Sequence, residues 1–343
     1  MKLEFKPIDE VIDSVKTLPK ENFFYEGIKE NSLNLLISQA KLGKTTWVEN
    51  LAMSIGAGHN KYLDKEVWFG DNRKVMIISL EEFYRGRTER NSQQLKYLDA
   101  IVGNGDWHQN VLVSPVDGLR YIETKKDWDW IKDEIKEKKP AFTVIDSLSR
   151  MHGSEAIEDS STCIKLMKKL KNIIDKTGTT LLIIHHTSKI GNEPLSLSNM
   201  AGSRILAQEA DSIIALNKTP SGKRYIKALA YRYADDSSET VQLFRRNNNY
   251  QWLESGGYVK EYKILKEFDN RVDNTNSEAV MDYVLDHTAG DNSILIETSK
   301  LMETFVDTRI MTKPTLYKSI AKLVEDGSMI KQQKGMYSLP QNE

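Results

Sequence analysis

The stretch SQAKLGKTTW, residues 38–47, contains GKTT, whose glycine, lysine and two hydroxyl side chains stand in an order suited to binding phosphate groups. An apolar run precedes it and a helical pattern follows, as in a strand–loop–helix phosphate site. Gly43 would let the backbone approach the phosphates, and Lys44 would neutralise the β- and γ-phosphates of ATP. Thr45, or Thr46 beside it, would bind Mg²⁺ through its hydroxyl. The candidate nucleotide-binding residues are Ser38, Gln39, Ala40, Lys41, Leu42, Gly43, Lys44, Thr45 and Thr46.

Ser38 stands where such loops usually begin with a glycine. Glycine adopts a positive φ at no steric cost, whereas serine does not. Because serine is small and forms local hydrogen bonds, we expect a distorted loop that still binds phosphate. The sequence GKTT alone would fit an ordinary helix start equally well, so residues elsewhere in the chain must decide.

Three carboxylates end two other apolar runs. Asp146 closes FTVID and could bind Mg²⁺ beside Thr45, or it could cap a helix. Glu81 and Glu82 close IISLEE, and either could polarise an attacking water. The alternative for these two glutamates is a solvated pair that begins a helix.

Six short apolar runs indicate the strands that position these residues. They are LNLLIS (33–38), KVMIISL (74–80), NVLVS (110–114), FTVID (142–146), TTLLIIHH (179–186) and DSIIAL (211–216). Helical patterns separate the first five, which predicts an α/β fold with a mostly parallel sheet covered on both faces. One such helix spans 162–176, and its apolar face comprises Ile164, Met167, Leu170, Ile173 and Ile174. Ligands in such folds bind at the carboxyl ends of the strands.

Four blocks of the sequence resemble the RecA-like ATPases of the DnaB, KaiC and RepA group, most closely RepA-type hexameric helicases of plasmids and phages. The blocks are SQAKLGKTTWVENLA, IISLEEFYRGRTER, FTVIDSLS, and LLIIHHTSK with NMAGSRILAQEADSIIAL. The resemblance covers about residues 15–255. It implies a RecA-like twisted sheet, with the first and third blocks as Walker A and Walker B and the second as the segment of the catalytic glutamate.

The resemblance also implies roles for residues beyond these strands. His185 or His186 would sense the γ-phosphate, although a histidine pair at a strand end is more often structural. Lys189 and Arg204 would contact a DNA strand in the channel of a ring. Arg232, with Lys227 as a second candidate, would be the arginine finger that reaches a neighbouring subunit, the alternative being an exposed strand arginine.

After residue 223 the strand-like runs no longer alternate with helical patterns. Runs at 224–233, 240–244 and 250–254 predict antiparallel hairpins at the sheet edge. Residues 1–30 are expected to pack on or link ATPase subunits, 31–256 to form the ATPase domain, and 257–276 to be a linker. Residues 277–343 show three amphipathic stretches and a hairpin pattern, which is typical of a winged helix-turn-helix.

Charge divides this last segment in two. Up to Thr308 it holds seven acidic residues and one lysine, and from Arg309 onward six cations and three acids. The basic half coincides with the third helix and the wing, which contact DNA in this motif. Its candidate DNA-binding residues are Lys313, Lys318, Lys322, Lys331 and Lys334. The alternative is that this module packs against the ATPase core or a protein partner.

Composition and charge indicate which partners and which cellular compartment to expect. The net charge is −1, so a preference for nucleic acid must come from a local patch. One cysteine, Cys163, excludes a disulfide within the chain. The N-terminus lacks the apolar core of a signal peptide, and no run approaches the roughly 18 apolar residues of a membrane span. We therefore expect a cytoplasmic protein that does not contact membranes.

Three functions fit the sequence. The first is a ring-forming, hexameric DNA helicase or translocase that hydrolyses ATP with Mg²⁺ and acts with replication proteins of a plasmid, phage or other mobile element. The second is a DNA-binding ATPase that does not unwind, such as a replication initiator, loader or regulator. The third is a KaiC-like signalling ATPase, which only the glutamate pair supports.

Overall fold

The computed structural model describes residues 5–82, 84–115, 118–153, 155–187, 194–202, 204–219, 222–234, 240–288 and 291–340, and only the backbone of 266–275. The chain divides into two compact units, Met1–Glu261 and Tyr262–Glu343. Every helix among the described residues is too short or too polar to cross a membrane.

The first unit is built on one mixed sheet, which comprises nine strands in the described part of the chain. They are β3 (Leu33–Ser38), β6 (Val75–Ser79), β7 (Val111–Val113), β8 (Phe142–Asp146), β9 (Thr180–His186), β10 (Ser212–Lys218), β11 (Arg224–Tyr231), β12 (Thr240–Asn247) and β13 (Trp252–Lys260). Two small hairpins lie outside this sheet, β1 (Phe23–Tyr25) with β2 (Ile28–Lys29) and β4 (Lys61–Tyr62) with β5 (Lys65–Glu66). The helices are α1 (Ile8–Lys16), α2 (Lys44–Ala57), α3 (Tyr84–Val102), α4 (Lys125–Lys138), α5 (Ser160–Thr177) and α6 (Ile205–Glu209).

The strand order is β13-β12-β11-β10-β3-β9-β8-β6-β7. All six predicted apolar runs form strands, and they make the parallel part from β10 to β7. The predicted hairpins are also confirmed, since β11, β12 and β13 extend the sheet antiparallel from β10. β3 lies between β9 and β10, so the phosphate-loop segment leaves the sheet near its centre.

Helix α2 follows β3 and is buried over almost its whole length. Trp47, Val48 and Leu51 have no exposed surface and belong to a core shared with the sheet. Helix α5 buries Met167, Leu170 and Ile173, as its apolar spacing predicts. Ile164 is 39% exposed, so its place on the predicted apolar face is wrong: Cys163 and Leu166, one turn apart, take the buried positions instead.

The second unit has its own core. Its elements are the rest of α7 (Glu261–Thr288), β14 (Ile296–Glu297), α8 (Thr298–Met302), a π-helical turn at Glu303–Asp307, α9 (Lys313–Glu325), β15 (Ile330–Gln333) and β16 (Met336–Ser338). The strands pair antiparallel in the order β14-β16-β15. Val284, Leu301, Leu316 and Ile320 form part of the buried cluster between the helices and this sheet. The predicted succession of helices and hairpin is present, with β14 as an addition.

The predicted linker at 257–276 differs from the structure. Gly257 to Lys260 belong to β13, which pairs with β12 as far as Lys260. From Glu261 the backbone is helical through the polar run at 269–277. Polar residues without glycine or proline are compatible with a helix, so the polar composition of this segment did not require a loop.

Candidate nucleotide-binding site

The phosphate-loop segment turns between β3 and α2 with two residues in the left-handed region. These are Lys41, with φ of 63°, and Gly43, with φ of 103°. Ser38 is the last, fully buried residue of β3, and its hydroxyl donates to the Gln39 carbonyl at 2.7 Å. The distortion that we expected at Ser38 is absent, because the turn is made three to five residues later. Serine therefore costs the loop no backbone strain at this position.

Lys44 is the first residue of α2, and its ammonium group folds back over the loop. Nζ donates to the Ser38 carbonyl at 3.0 Å and to the Gln39 carbonyl at 2.9 Å, and lies 3.4 Å from His186 Nδ1. Burial lowers the pKa of Lys44 to about 8, although the nearby carboxylates of Asp146 and Glu81 oppose this. The ammonium group thus lies beside the N-terminus of α2. A phosphate bound there would replace the lysine's hydrogen bonds to loop carbonyls with an interaction between opposite charges.

Thr45 and Asp146 meet beside this lysine. The Thr45 hydroxyl donates to Asp146 Oδ2 at 2.7 Å, whereas Thr46 is buried within α2. Burial raises the pKa of Asp146 to about 6, partly opposed by the Thr45 hydrogen bond. A buried carboxylate with a raised pKa and an adjacent hydroxyl form an oxygen donor pair that a hard cation would stabilise. The pair therefore fits Mg²⁺, and of the two threonines Thr45 makes this contact.

Glu81 reaches the same place from the neighbouring strand β6. Its Oε1 accepts hydrogen bonds from the hydroxyls of Ser147 and Ser149, the latter at 2.8 Å, and lies 3.6 Å from His186 Nε2. The interaction with His186 lowers the pKa of Glu81 to about 2, helped by the two serines and opposed by burial. At neutral pH the side chain is therefore an ionised hydrogen-bond acceptor.

Glu82 points into a different environment, although it is the next residue. Both of its oxygens pair with Arg90 of α3, at 2.7 and 2.5 Å. Arg90 also binds Glu49 of α2 through two hydrogen bonds, at 2.6 and 2.8 Å. The structure thus separates two glutamates that the sequence leaves equivalent, because only Glu81 contacts the cluster around Lys44 and Asp146.

The two histidines at the end of β9 also separate. His186 bridges Lys44 and Glu81 through its two ring nitrogens. His185 is almost fully buried, and its Nε2 lies 2.8 Å from the Ala201 carbonyl. Burial lowers the pKa of His185 to about 4, so the ring is neutral and donates this hydrogen bond. His186 therefore faces the phosphate-loop cluster, and His185 anchors the segment that returns to the sheet at Met200.

The arginine-finger candidates lie away from this cluster in their own chain. Arg232 follows β11 and pairs with Asp211 at 3.3 Å, while the Asp211 backbone and carboxylate bond to Leu33 at the start of β3. It thus lies at the opposite edge of the sheet, roughly 17 Å from the loop along a six-residue strand. Lys227 is buried, donates to the Leu195 carbonyl at 2.8 Å and pairs with Glu261. A buried internal ion pair makes Lys227 unsuitable as a finger.

The DNA-binding candidates remain dispersed. Arg204 is exposed at the N-terminus of α6, and Lys189 lies outside the described residues. In the second unit, Lys322 is half-buried on α9, and the other four lysines are exposed on α9 and the hairpin: Lys313, Lys318, Lys331 and Lys334. The structure does not bring Arg204 into the phosphate-loop cluster.

Four residues in and around the site are not among those that the sequence predicted. Ser147 and Ser149 lie one and three residues after Asp146, at the 3-10 turn Leu148–Arg150, and both hydroxyls contact one Glu81 oxygen. Their closeness to Asp146 in the sequence was the available signal. Glu49 is a charged residue on a helix that is buried over almost its whole length, and a buried charge indicates an ion pair. Its partner Arg90 lies 41 residues further on, and no local spacing relates the two.

Comparison with known proteins agrees with this geometry. Residues 2–192 match the family model described as AAA domain. A DNA helicase/primase of Enterobacteria phage T3 is 23% identical over 262 residues, which are 68% of this chain and 44% of that protein. The chain thus spans less than half the length of this curated relative.

Among solved structures, one described as an ATPase domain superposes with a TM-score of 0.51 at 16% identity, over 73% of this chain and 99% of that one. At this identity the likeness concerns the fold. The family match, the parallel sheet and the phosphate-loop cluster together confirm the resemblance to RecA-like ATPases. The chain belongs to the AAA domain family, and its first unit has the fold of a RecA-like ATPase.

Proposed function

We propose that this chain is a ring-forming motor that hydrolyses ATP and moves along DNA, a RepA-type helicase or translocase in replication of a plasmid, phage or other mobile element. The observation that carries the proposal is the convergence of four strand ends. Lys44 follows β3, Glu81 follows β6, Asp146 ends β8 and His186 ends β9. His186 contacts both Lys44 and Glu81, and Asp146 accepts a hydrogen bond from Thr45, the residue after Lys44. Isolated structural roles for these residues would not require that they meet.

Hydrolysis follows from the positions of these side chains. The triphosphate would lie over the N-terminus of α2, where Lys44 exchanges loop carbonyls for β- and γ-phosphate oxygens. Thr45 and Asp146 would hold Mg²⁺, which neutralises developing phosphate charge. Glu81, ionised and oriented by Ser147 and Ser149, would accept a hydrogen bond from the attacking water. His186 contacts both Lys44 and Glu81, so it would register whether the γ-phosphate is present.

The ring is supported by a helix without partners in the described part of its own chain. No residue of α1 is buried, and its apolar side chains Ile8, Val11, Ile12 and Val15 are 45–78% exposed. A nine-residue helix is marginal in water without tertiary contacts. We infer that α1 packs on a neighbouring copy, and that Arg232 acts on that copy's nucleotide. Lys189 and Arg204 would then contact a single DNA strand in the channel.

The second unit is proposed to be a winged helix-turn-helix. Its order of helices, the β14-β16-β15 sheet and the hairpin around Gly335 fit that motif. Helix α9 buries Leu316, Ile320 and Leu323 and leaves Tyr317 and Lys318 exposed. An exposed basic face on the third helix is suited to the major groove of duplex DNA.

That basic face also favours a second candidate function, a DNA-binding ATPase that loads or regulates replication without unwinding. The KaiC-like alternative rests on the glutamate pair alone. Glu82 is occupied by Arg90 and does not share the environment of Glu81.

Strand displacement on a forked DNA separates the two remaining functions. We expect unwinding that requires ATP and Mg²⁺, and loss of both unwinding and ATP hydrolysis in Lys44→Ala. Lys138→Ala is a matched control, because this lysine is exposed and pairs with Glu137 on α4. ATP hydrolysis with tight duplex binding but no displacement would favour the loader or regulator. Absence of hydrolysis in the unsubstituted protein would refute both.

A further inference from the structure

Arg90 joins two carboxylates that belong to different elements of the site. It binds Glu49 through Nε and Nη2, at 2.6 and 2.8 Å, and Glu82 through Nη1 and Nη2, at 2.7 and 2.5 Å. Gln94, one turn further along α3, also donates to Glu49, at 3.1 Å. The side chain of Glu49 has no exposed surface, and that of Arg90 is 15% exposed. We call Glu49, Glu82 and Arg90 the clamp.

The electrostatics of the clamp fix its geometry. Burial opposes the charge on Arg90, but hydrogen bonds and charge attraction from both glutamates raise its pKa above the ordinary value. A guanidinium has donors on several nitrogens in one rigid plane, so it can bind two carboxylates at once, which an ammonium cannot do in the same geometry. Without Arg90, two carboxylates would face each other, one of them out of reach of water.

The clamp connects the phosphate loop to the segment that carries Glu81, the proposed general base. Glu49 lies in α2, whose first residue is Lys44, so it moves with the loop. Glu82 is bonded to Glu81, and its main-chain carbonyl also accepts a hydrogen bond from Arg120 at 2.7 Å. With the Glu82 side chain held toward α2 and α3, the adjacent Glu81 side chain is left toward Ser147, Ser149 and His186.

We propose that Arg90 is a positioning residue for ATP hydrolysis, which holds Glu82 and thereby aims Glu81 at the attacking water. The inference rests on the proposed ATPase function. Arg90 does not itself contact the phosphate-loop cluster in the described part of the chain; it acts through the backbone between Glu82 and Glu81. Misplacing a general base by about 1 Å is enough to lower a rate on the order of 100-fold.

The test compares kcat with nucleotide binding in the full-length protein. In Arg90→Gln we expect kcat to fall at least tenfold, while a non-hydrolysable ATP analogue binds within threefold of the original affinity. Since this change strands the buried Glu49 carboxylate, the paired variant Glu49→Gln/Arg90→Gln removes both charges and serves if the single variant does not fold. Arg245→Gln, at an exposed pair with Glu254, is the matched control and should keep kcat.

A double-mutant cycle distinguishes positioning from general support of the fold. If Arg90 acts through Glu81, then adding Arg90→Gln to Glu81→Gln leaves the residual single-turnover rate unchanged. A further loss equal to that in the unsubstituted background would overturn the proposal, as would a normal kcat in Arg90→Gln. A protein that binds ATP and Mg²⁺ yet never hydrolyses it would instead overturn the proposed function, and the clamp's role with it.

Discussion

At the scale of single residues, the site is decided by which way adjacent side chains point. Glu81 and Glu82, and likewise His185 and His186, are neighbours with the same chemistry and opposite surroundings. In each pair one residue joins the cluster around Lys44, and the other binds structure nearby. The two histidines end β9, and an extended backbone sends successive side chains to opposite sides, whereas Glu81 and Glu82 follow β6 in a bend and are separated by their partners.

The two glutamates should therefore differ in their effect on turnover. We expect Glu81→Gln to lower kcat on the order of 100- to 10,000-fold, as for loss of a general base. Glu82→Gln should cause a smaller loss, because it weakens the clamp without removing the acceptor. Phosphate release measures kcat, and calorimetry with a non-hydrolysable analogue checks that both variants still bind nucleotide. Equal turnover in the two variants would contradict the assignment of Glu81.

Binding of ATP with Mg²⁺ should depend on pH through two groups with shifted pKa values. Asp146, with a pKa of about 6, takes up a proton below that pH and loses its affinity for the cation. Lys44, with a pKa of about 8, loses its proton above that pH and its attraction for phosphate. We therefore expect affinity to be highest between about pH 6 and 8 and to fall on either side, as measured by titration calorimetry.

Two variants assign the limbs of this profile. Asp146→Asn should bind more weakly but lose the acidic limb in excess of the titration of ATP itself. Lys44→Arg should shift the alkaline limb beyond the measured range, since a guanidinium keeps its proton. An unchanged acidic limb in Asp146→Asn would mean that another group titrates there.

At the scale of elements, the basic and acidic side chains of the second unit lie on different helices and strands. The basic half comprises α9 and the β15–β16 hairpin, and the acidic half comprises the end of α7, β14 and α8. Exposed lysines on α9 and the hairpin are suited to phosphate contacts, each of which releases a counterion from DNA.

Charge reversal should therefore weaken duplex binding on one side only. We expect Lys318→Glu and Lys331→Glu each to lower affinity for duplex DNA and to reduce the slope of log K against log salt by about one. Lys300→Glu on α8 is the matched control, as an exposed lysine in the acidic half of the same unit. Fluorescence anisotropy across a salt series measures the slopes. Equal losses in all three variants would assign the DNA contact elsewhere.

At the scale of the whole molecule, two features of the first unit contribute neither to the phosphate-loop cluster nor to the buried core of their own copy. Helix α1 exposes an apolar face, and Arg232 lies at the sheet edge opposite the phosphate loop. Both are explained if copies assemble so that one copy's helix and arginine reach its neighbour.

Disrupting α1 should separate assembly from folding. We expect Val11→Asp/Val15→Asp to dissociate the proposed ring to smaller species by mass photometry and to lower ATP hydrolysis. The melting temperature of the ATPase unit should stay within a few degrees, since α1 contributes no buried side chain. Glu10→Gln in the first turn of the same helix is the control. Rings that survive the double substitution would remove α1 from the interface.

The elements of the fold and the kind of chemistry could be deduced from the amino-acid chain alone. Buried parallel strands must be apolar on both faces, so all six strands could be recognised from their apolar runs. Ligands bind at the carboxyl ends of such strands, so the polar residues that follow or end them could be predicted as site residues: Lys44, Asp146 and the glutamate and histidine pairs. Local patterns also indicated the hairpins beside the sheet and the helices of the second unit, since helix and strand periodicities act over a few residues.

Which member of each pair serves the site became visible only from the packing of the folded chain. Ser147 and His186 hold Glu81 in the site and come from elements distant in sequence. Arg90 binds Glu82 from the helix that follows it, but Arg90 is held there by Glu49 of the distant helix α2. The helical continuation of β13 into α7 and the burial of Lys227 were likewise invisible in the sequence. Side-chain partnership depends on how elements pack in three dimensions, and no spacing along one chain segment encodes it.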